Sequence, residues 1–358
     1  MIRFIHLSDV HLGAVPDRGC PWSHEREEEI WETFRRVIVG IRKNPVDLLF
    51  IAGDLFHRQP LLRELREVDD LFASIPDTRV FLMAGDHDYI KEDSFYRNFV
   101  WSRNVTFFDR EQQSCVEIAD KQIFVYGLSY EHPEIRTPLY DEWKPQNRPG
   151  FHVLLAHGGE VGYCPMDFTR LAAGFDYIAL GHSHKPHTVC RDKIVYAGAL
   201  EPQDRNDVGK HGYIEGEFDG ETVKLKLRPF ALRSYQNLVL AVDQNTTQYA
   251  LEDMLRKEVM KRGGRNIYRL IIKGKLSPDN VLLPERLHGL GNIVEIMDES
   301  RPAYQLESLY RQYRGTLIGD YIKTFLKKDL TVVEKKALYY GLQALLTTKV
   351  LTSDRKRI

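Results

Sequence analysis

The chain has 358 residues, of which 43% are hydrophobic and 28% charged, a composition typical of globular proteins. This length supports a large core and predicts two domains, or one large domain with an appendage. The formal net charge of −1 excludes a strongly basic surface overall, so any nucleic-acid contact must be local.

The first part of the chain alternates between predicted strands and helices. Short apolar runs predict strands at Ile2–Leu7, Leu48–Ala52 and Val80–Ala84. Apolar residues at helical spacing predict helices at Ser23–Asn44, with Ser23 as its N-cap, and at Leu61–Ser74. This βαβ start favours a mixed sheet with helices on its faces.

Shorter strands follow, and we predict no helices between them, which favours two stacked sheets. They are expected at Ile123–Gly127, Val153–Ala156, Tyr177–Leu180, Ile194–Ala197, Tyr213–Phe218 and Val223–Arg228. The predicted fold class is α/β, or α+β in some schemes: a two-sheet sandwich flanked by helices.

The pattern of predicted strands and helices changes near Pro229–Tyr235 and again at Tyr304. The first change begins a small α/β capping domain, with strands at Asn237–Val242, Tyr268–Lys273 and Ile293–Met297 and a helix at Thr247–Lys261. The second begins a helical arm, with helices at Gln305–Tyr313, Thr316–Lys327 and Val333–Leu351. We therefore predict domains at residues 1–230, 235–300 and 301–358.

The spacing of the cysteines and the length of the apolar runs predict the cellular compartment of the protein. None of Cys20, Cys115, Cys164 and Cys190 forms a C-x-x-C pair, which argues against a zinc knuckle and favours a reducing, cytoplasmic compartment. The first seven residues lack a basic segment followed by a long apolar run, so they predict a strand rather than a signal peptide. Without a stretch of 18 apolar residues, we expect no membrane contact.

Five short segments each place an acidic or histidine side chain just after a predicted strand. Alone, such an Asp is often a turn or cap residue, and a lone His is usually a hydrogen-bonded surface or core group. Together and in this order, the five predict a site where two divalent metals hydrolyse a phosphate ester. They read Asp9-Val10-His11, Gly53-Asp54-Leu55-Phe56-His57, Gly85-Asp86-His87-Asp88, Ala156-His157-Gly158 and Gly181-His182-Ser183-His184.

Asp54 is the natural ligand to bridge two metals. It follows a buried apolar strand, where a carboxylate is costly unless it binds a cation. Asp9 and His11 are separated by one residue and can turn toward the same point in a loop. His182 and His184 are two apart and can face one metal or two different ones, so their spacing leaves that choice open.

These segments resemble the calcineurin-like metallophosphoesterases. More narrowly, the opening Ile-His-Leu-Ser-Asp-Val-His-Leu-Gly, the Gly-Asp-Leu-Phe-His segment ending at His57, and the appended domain and arm resemble the nuclease subunits of SbcCD-type DNA repair complexes, including their YhaO-like relatives. The catalytic motifs cover residues 1–200, whereas the resemblance of residues 230–358 is architectural. The implied activity is exonuclease or endonuclease cleavage of DNA in double-strand-break repair, by a hydroxide that two metals activate.

The resemblance also implies the ligands and their roles. One metal would be held by Asp9, His11, Asp54 and His184, and the other by Asp54, Asp86, His157 and His182. Mn²⁺ is the expected ion, with Mg²⁺, Fe²⁺ or Zn²⁺ as alternatives. His87 would be the general acid or phosphate-stabilising group, with Asp88 orienting its ring, and His57 would lie close to the scissile phosphate.

Asp86 departs from the family pattern, which has Asn there. Asn would offer the metal a neutral carbonyl oxygen and the phosphate an NH₂ donor, whereas Asp offers a charged ligand and no donor. Our hypothesis is that metal binding survives and turnover is reduced.

DNA binding is predicted for a basic cluster, with a solvated helix face as the alternative. Its members are Arg256, Lys257, Lys261, Arg262 and Arg265. The amphipathic arm helices either pack on their own protein or, as the resemblance implies, dock on an SbcC-like coiled-coil ATPase. The resemblance also implies a homodimer through Leu61–Ser74 and the segment around Ser94–Trp101.

Two rival functions remain. A general phosphodiesterase acting on small substrates would need no long arm for docking. A structural subunit with a crippled site is supported by Asp86, although the retained His57 and His87 argue against it.

Overall fold

The computed structural model describes residues 1–160, 162–277, 282–326 and 330–354. The chain divides into two compact units. The first comprises residues 1–236 and 265–267, and the second comprises residues 237–264 and 268–358. Within the described ranges, no helix is both long and apolar enough to cross a membrane.

The first unit contains two six-stranded sheets and helices on their outer faces. Its strands in chain order are β1 (Ile2–Leu7), β2 (Leu48–Ala52), β3 (Arg79–Met83), β4 (Val105–Phe108), β5 (Ser114–Ile118), β6 (Ile123–Gly127), β7 (Phe151–His157), β8 (Tyr177–Gly181), β9 (His187–Cys190), β10 (Ile194–Tyr196), β11 (Gly212–Phe218) and β12 (Val223–Pro229). Its α-helices are α1 (Ser23–Lys43), α2 (Leu62–Ala73) and α3 (Phe168–Gly174).

Both sheets have parallel strands at their centres. The first sheet has the order β12-β11-β1-β2-β3-β4, and β1 to β4 run parallel, with Phe4 of β1 opposite Leu48 of β2. The second has the order β5-β6-β7-β8-β10-β9, with β6, β7, β8 and β10 parallel. The predicted α/β class with two stacked sheets is confirmed.

Successive side chains along each strand point to opposite faces of the sheet, and so pack into different layers of the core. In β6, Val125 points into the core between the sheets, whereas its neighbour Phe124 packs on the outer face with Leu171 of α3. In β2, Phe50 lies between the sheets and Ile51 packs against α1 and α2. Each such fully buried side chain contributes about 1.5–3 kcal/mol to stability, so the register of these strands is firmly specified.

Three details of the sequence prediction were wrong. Ser23 is the first residue of α1 and not its cap, because its hydroxyl donates to the carbonyl of Pro16 at 2.8 Å. The short helix α3 lies between β7 and β8, where we expected none; the Asp167 side chain caps it by accepting from Thr169 and Arg170. The strands β4, β5 and β9 were missed because they are short and partly exposed, and so lack a continuous apolar run.

The second unit has four α-helices among its described residues and nearly all of a three-stranded sheet, whose first two strands begin within residues 235–236 and 267 of the first unit. They are β13 (Tyr235–Val242), α4 (Gln248–Arg262), β14 (Ile267–Leu276), β15 (Asn292–Pro302), α5 (Leu306–Gln312), α6 (Leu317–Lys323) and α7 (Val332–Asp354). The sheet and α4 share one hydrophobic cluster, and α5, α6 and α7 share another. Both clusters lie inside one compact unit. The predicted domain boundary near residue 300 therefore stays a prediction. Lys327, the predicted end of an arm helix, lies outside the described residues.

Candidate metal centre

The five predicted segments come together at the carboxyl ends of parallel strands from both sheets. Parallel strands place their carboxyl ends at the same edge, which is where α/β folds commonly bind ligands. The first sheet contributes Asp9 after β1, Asp54 after β2 and Asp86 after β3, and the second contributes His157 at the end of β7 and His182 after β8.

The backbone at this edge is strained. Four of the residues predicted as ligands have positive φ angles: Asp9 (49°), His11 (52°), Asp54 (52°) and His182 (97°). Such angles are uncommon outside glycine, and they persist where the surrounding structure enforces them. Strained backbone of this kind clusters at functional sites, which agrees with the site predicted from the sequence.

Glycines let the segments approach closely. Gly53 has a φ of +87°, and a Cβ there would collide with the ring of His157. A Cβ on Gly181 would collide with the carbonyl of Ala52. The ring of His157 can therefore lie against the end of β2, where its Nδ1 is 2.8 Å from the Ala52 oxygen.

One group of possible ligands consists of Asp9, His11 and His184. One atom of each lies within 4.8 Å of the other two. The Nε2 atoms of His11 and His184 are 3.0 Å apart, so the two imidazoles converge on one point. Asp9 is fully buried and accepts a hydrogen bond from the backbone N–H of His182 at 3.0 Å.

A second group consists of Asp86, His157 and His182, again within 4.8 Å. Oδ1 of Asp86 lies 2.8 Å from Nε2 of His157 and 3.1 Å from Nδ1 of His182. Burial alone would raise the pKa of Asp86, but these two hydrogen bonds hold it well below its usual range. Burial likewise disfavours a charged His157, yet the carboxylates of Asp54 and Asp86 raise its pKa to about 10.

Asp54 lies between the two groups. Its Oδ2 is 3.8 Å from Nε2 of His11 and 3.7 Å from Nε2 of His157, and its side chain is 2% exposed. Burial raises its pKa well above the usual range, against the attraction of His157. A carboxylate buried in this way stays ionised only when it is paired or binds a cation. The carboxylates and imidazoles fit two divalent metals that share Asp54.

His57 and His87 lie at the exposed rim of the centre. Their rings stack with centroids 5.0 Å apart, and Nδ1 of His87 lies 3.1 Å from the carbonyl oxygen of His57. Burial and the neighbouring His87 and His184 lower the pKa of His57, which favours its neutral form. This pair is the predicted proton-transfer and phosphate-contacting part of the site.

Asp88 has different partners from those we expected. We predicted that it orients the ring of His87, which instead faces the carbonyl of His57. Asp88 is fully buried and accepts from the backbone N–H groups of Gly85 (2.8 Å) and Phe56 (3.2 Å) and from the Tyr96 hydroxyl (2.9 Å). Its carboxylate therefore joins the loops after β2 and β3.

Asp207 belongs to this neighbourhood, and the sequence analysis missed it. Its Oδ2 lies 3.3 Å from Nδ1 of His184, although 23 positions separate the two residues. It follows no predicted strand and has no local motif, so no sequence signal pointed to it.

The predicted DNA-binding cations are mostly paired. On α4, Lys257 contacts Asp253 at 2.7 Å, and both Lys261 (3.7 Å) and Arg262 (2.9 Å) contact Glu258. Arg256 is exposed on the same helix, whereas Arg265 belongs to the first unit. DNA binding by this cluster stays a prediction.

Comparison with protein families identifies the region that contains the centre. The family described as calcineurin-like phosphoesterase matches residues 2–186. The match spans all seven predicted metal ligands, from Asp9 to His184. The predicted resemblance is confirmed at this level.

Individual relatives are similar over longer stretches. The chain is 23% identical to YhaO of Bacillus subtilis, an uncharacterized metallophosphoesterase, over 76% of this chain and 72% of that one. It is 28% identical to the DNA double-strand break repair protein Mre11 of Haloferax volcanii, over 66% of this chain and 54% of that one. It is 25% identical to the protein of the same name from Sulfurisphaera tokodaii, over 79% of this chain and 76% of that one.

Proposed function

This chain belongs to the calcineurin-like phosphoesterase family, and we propose that it is a metal-dependent nuclease that hydrolyses DNA phosphodiester bonds at DNA ends. The observation that carries the proposal is the position of Asp54, whose single oxygen lies under 4 Å from one imidazole of each ligand group. A carboxylate shared in this way is what two adjacent divalent ions need.

The proposed ligand sets are those that the resemblance implies. Asp9, His11, Asp54 and His184 would hold one ion, and Asp54, Asp86, His157 and His182 would hold the other. When bound, such ions acidify water and neutralise the charge that develops on a phosphate in the transition state. Mn²⁺ is the ion that we propose, because the resemblance to the SbcCD-type nucleases implies it.

The chain's own residues would position and protonate the substrate. His87 is exposed at the rim, and its Nδ1 donates to the His57 carbonyl at 3.1 Å, so the proton for the leaving oxygen would come from Nε2 of the imidazolium form. The neutral ring of His57 beside it would contact a nonbridging phosphate oxygen. Asp88 would keep the two loops that carry them in register.

The relatives named for DNA double-strand break repair support DNA as the substrate. The basic residues of α4 would contact phosphates outside the metal centre. Apolar side chains on the first unit, such as Phe95 (48% exposed) and Val100 (87%), support a homodimer through this segment. The free thiols of all four cysteines support a reducing, cytoplasmic location.

An SbcC-like coiled-coil ATPase is the partner that we propose for the C-terminal helices. Leu317 is 73% exposed and Tyr340 is 71% exposed, so these helices present apolar side chains beyond their own small core. An amphipathic helix with such a face commonly docks in a partner's groove.

Asp86 would bind its metal and slow the reaction. Its carboxylate already contacts two imidazoles, so it is well placed as a ligand. Its negative charge would also face an anionic phosphate and would lack the donor that an amide provides.

The test measures both metal content and cleavage. We expect about two Mn²⁺ ions per chain and Mn²⁺-dependent cleavage of end-labelled duplex and single-stranded DNA. Asp54→Asn should lose both, while the matched control Asp120→Asn, at an exposed position, should lose neither. Circular dichroism would establish that Asp54→Asn is folded.

Each other outcome points to a different function. Cleavage of a small aryl phosphodiester without cleavage of DNA, even with the ATPase partner added, would favour a general phosphodiesterase. Two bound ions without cleavage of either substrate would favour a metal-binding structural subunit. A chain that binds no metal would contradict all three functions.

A further inference from the structure

Different groups contact the imidazoles of His157, which is fully buried, and His184, whose side chain is 29% exposed. Nδ1 of His157 faces a neutral backbone oxygen, that of Ala52, at 2.8 Å. Nδ1 of His184 faces a carboxylate oxygen, Oδ2 of Asp207, at 3.3 Å. A carboxylate can only accept, so Nδ1 of His184 carries the hydrogen, and the lone pair is left on Nε2. That Nε2 is the atom that lies 3.0 Å from Nε2 of His11.

Backbone donors fix Asp207 in this position. Its Oδ2 also accepts from the N–H groups of Gln203 at 2.8 Å and Asp204 at 3.3 Å. Its own N–H donates to the carbonyl of Asp204 at 3.0 Å, and the residue is only 7% exposed. The carboxylate therefore has its position set independently of His184.

The loop that carries Asp207 is anchored to the core of the first unit. Glu201, which is fully buried, accepts from the Thr33 hydroxyl at 2.7 Å and pairs with the buried Arg26 at 3.4 Å. At the start of the loop, the N–H of Ala199 donates to the carbonyl of His184 at 2.8 Å. These contacts tie the loop both to α1 and to the segment that bears the imidazole.

We propose that Asp207 is a positioning residue for the metal centre: it fixes the tautomer and orientation of His184 and makes its Nε2 a stronger ligand. The inference rests on the proposed metal-dependent function. Carboxylates that accept from a ligating imidazole typically change metal affinity by about 10–100-fold. The site of Asp9, His11 and His184 has this support, whereas His157 in the other site has only a neutral carbonyl behind it.

The alternative is that Asp207 merely stabilises its own loop. Asp207→Asn separates the two roles, because an amide oxygen can still accept from Nδ1 and from the backbone but lacks the negative charge. Asp204→Asn is the matched control: this carboxylate lies in the same loop and accepts from the Asn206 N–H at 2.5 Å, without contact to His184.

The experiment is a calorimetric titration of the full chain with Mn²⁺, together with thermal unfolding in the absence of metal. We expect Asp207→Asn to bind one ion about 10–100-fold more weakly, to keep the affinity of the other ion, and to unfold at the wild-type temperature. Asp207→Glu should recover part of the lost affinity, and Asp204→Asn should match the wild type. His182→Ala removes a ligand of the other group and should leave tight binding only at the group of Asp9, His11 and His184. Adding Asp207→Asn to His182→Ala should then lower the affinity for that ion.

Three outcomes would overturn the inference. Wild-type affinity for both ions in Asp207→Asn would show that the carboxylate does not support His184. Equal weakening of both ions together with a lower unfolding temperature would assign Asp207 to the loop alone. Wild-type protein that binds no Mn²⁺ would remove the proposed function and this inference with it, whereas the first two outcomes leave the proposed function intact.

Discussion

The first unit buries several charged side chains, whereas the lysines of α4 in the second unit are exposed. Arg26 and Glu201 are fully buried, and the Asp54 side chain is 2% exposed. On α4, by contrast, Lys257 is 70% exposed and Lys261 is 77% exposed, and each still has an acidic partner on the same helix. The presence of an ion pair therefore says little about function, whereas its burial says a great deal.

The physical reason is the cost of removing a charge from water. A buried ion loses several kcal/mol of hydration and persists only with many partners. Arg26 accordingly contacts Glu29 at 2.7 Å, Glu201 at 3.4 Å and the Pro202 carbonyl at 2.9 Å. Exposed pairs keep their hydration and are screened by salt, so they contribute little to stability and remain available to a partner.

The largest expected effect is on turnover, at the rim of the buried centre. His87→Ala should reduce Mn²⁺-dependent DNA cleavage by about 10²–10⁴-fold, because a general acid typically contributes that much. Initial rates on end-labelled DNA would measure it. His24→Ala, at a histidine whose side chain is 77% exposed, is the control and should retain the wild-type rate. Full activity in His87→Ala would contradict the proton-transfer role.

Next in size is the stability of the buried network. Arg26→Ala should lower the free energy of unfolding by about 3–5 kcal/mol, because it leaves the fully buried Glu201 without the cation that faces it, whereas Glu29 keeps its ion pair with Arg233. Urea denaturation would measure the loss. Lys257→Ala, which breaks an exposed pair, should leave the unfolding midpoint unchanged. Equal losses of unfolding free energy in both variants would contradict the difference that we infer between buried and exposed ion pairs.

A smaller effect is expected at Asp86. Asp86→Asn should raise turnover roughly tenfold, equivalent to about 1.4 kcal/mol of barrier, because it removes a negative charge from the substrate's path and adds a donor. Steady-state kinetics at saturating Mn²⁺ would give kcat. Two bound ions with no gain in turnover would contradict the hypothesis that Asp86 slows the enzyme.

The smallest effect is expected on α4. Reversing both Lys257→Glu and Lys261→Glu should weaken DNA binding and lower the salt-dependence slope by about 2, since each lost phosphate contact contributes roughly 0.9. Fluorescence anisotropy with labelled duplex DNA at several salt concentrations would measure both. The control Glu285→Lys changes an exposed charge outside α4. Unchanged affinity and slope in the double variant would show that the predicted DNA surface is wrong.

The sequence by itself determined which apolar runs form the central strands and which polar residues follow them. Apolar runs such as Leu48–Ala52 predict strands because a buried strand needs continuous hydrophobic residues. A carboxylate directly after such a run, as at Asp54, then predicts a cation, because a bare buried charge is too costly. Both inferences use short-range pattern alone, and for these segments the structure places the predicted residues together.

Only the tertiary structure decided which other polar groups contact those residues. Asp88 holds two loops and not the ring of His87, and Asp207 reaches His184 across 23 positions of the chain. Neither contact has a local signature, because both depend on how separate loops pack at the edge of two sheets. Sequence periodicity reports which face of an element is buried, whereas the partner of a buried polar group depends on which donors the fold brings within about 3 Å of it.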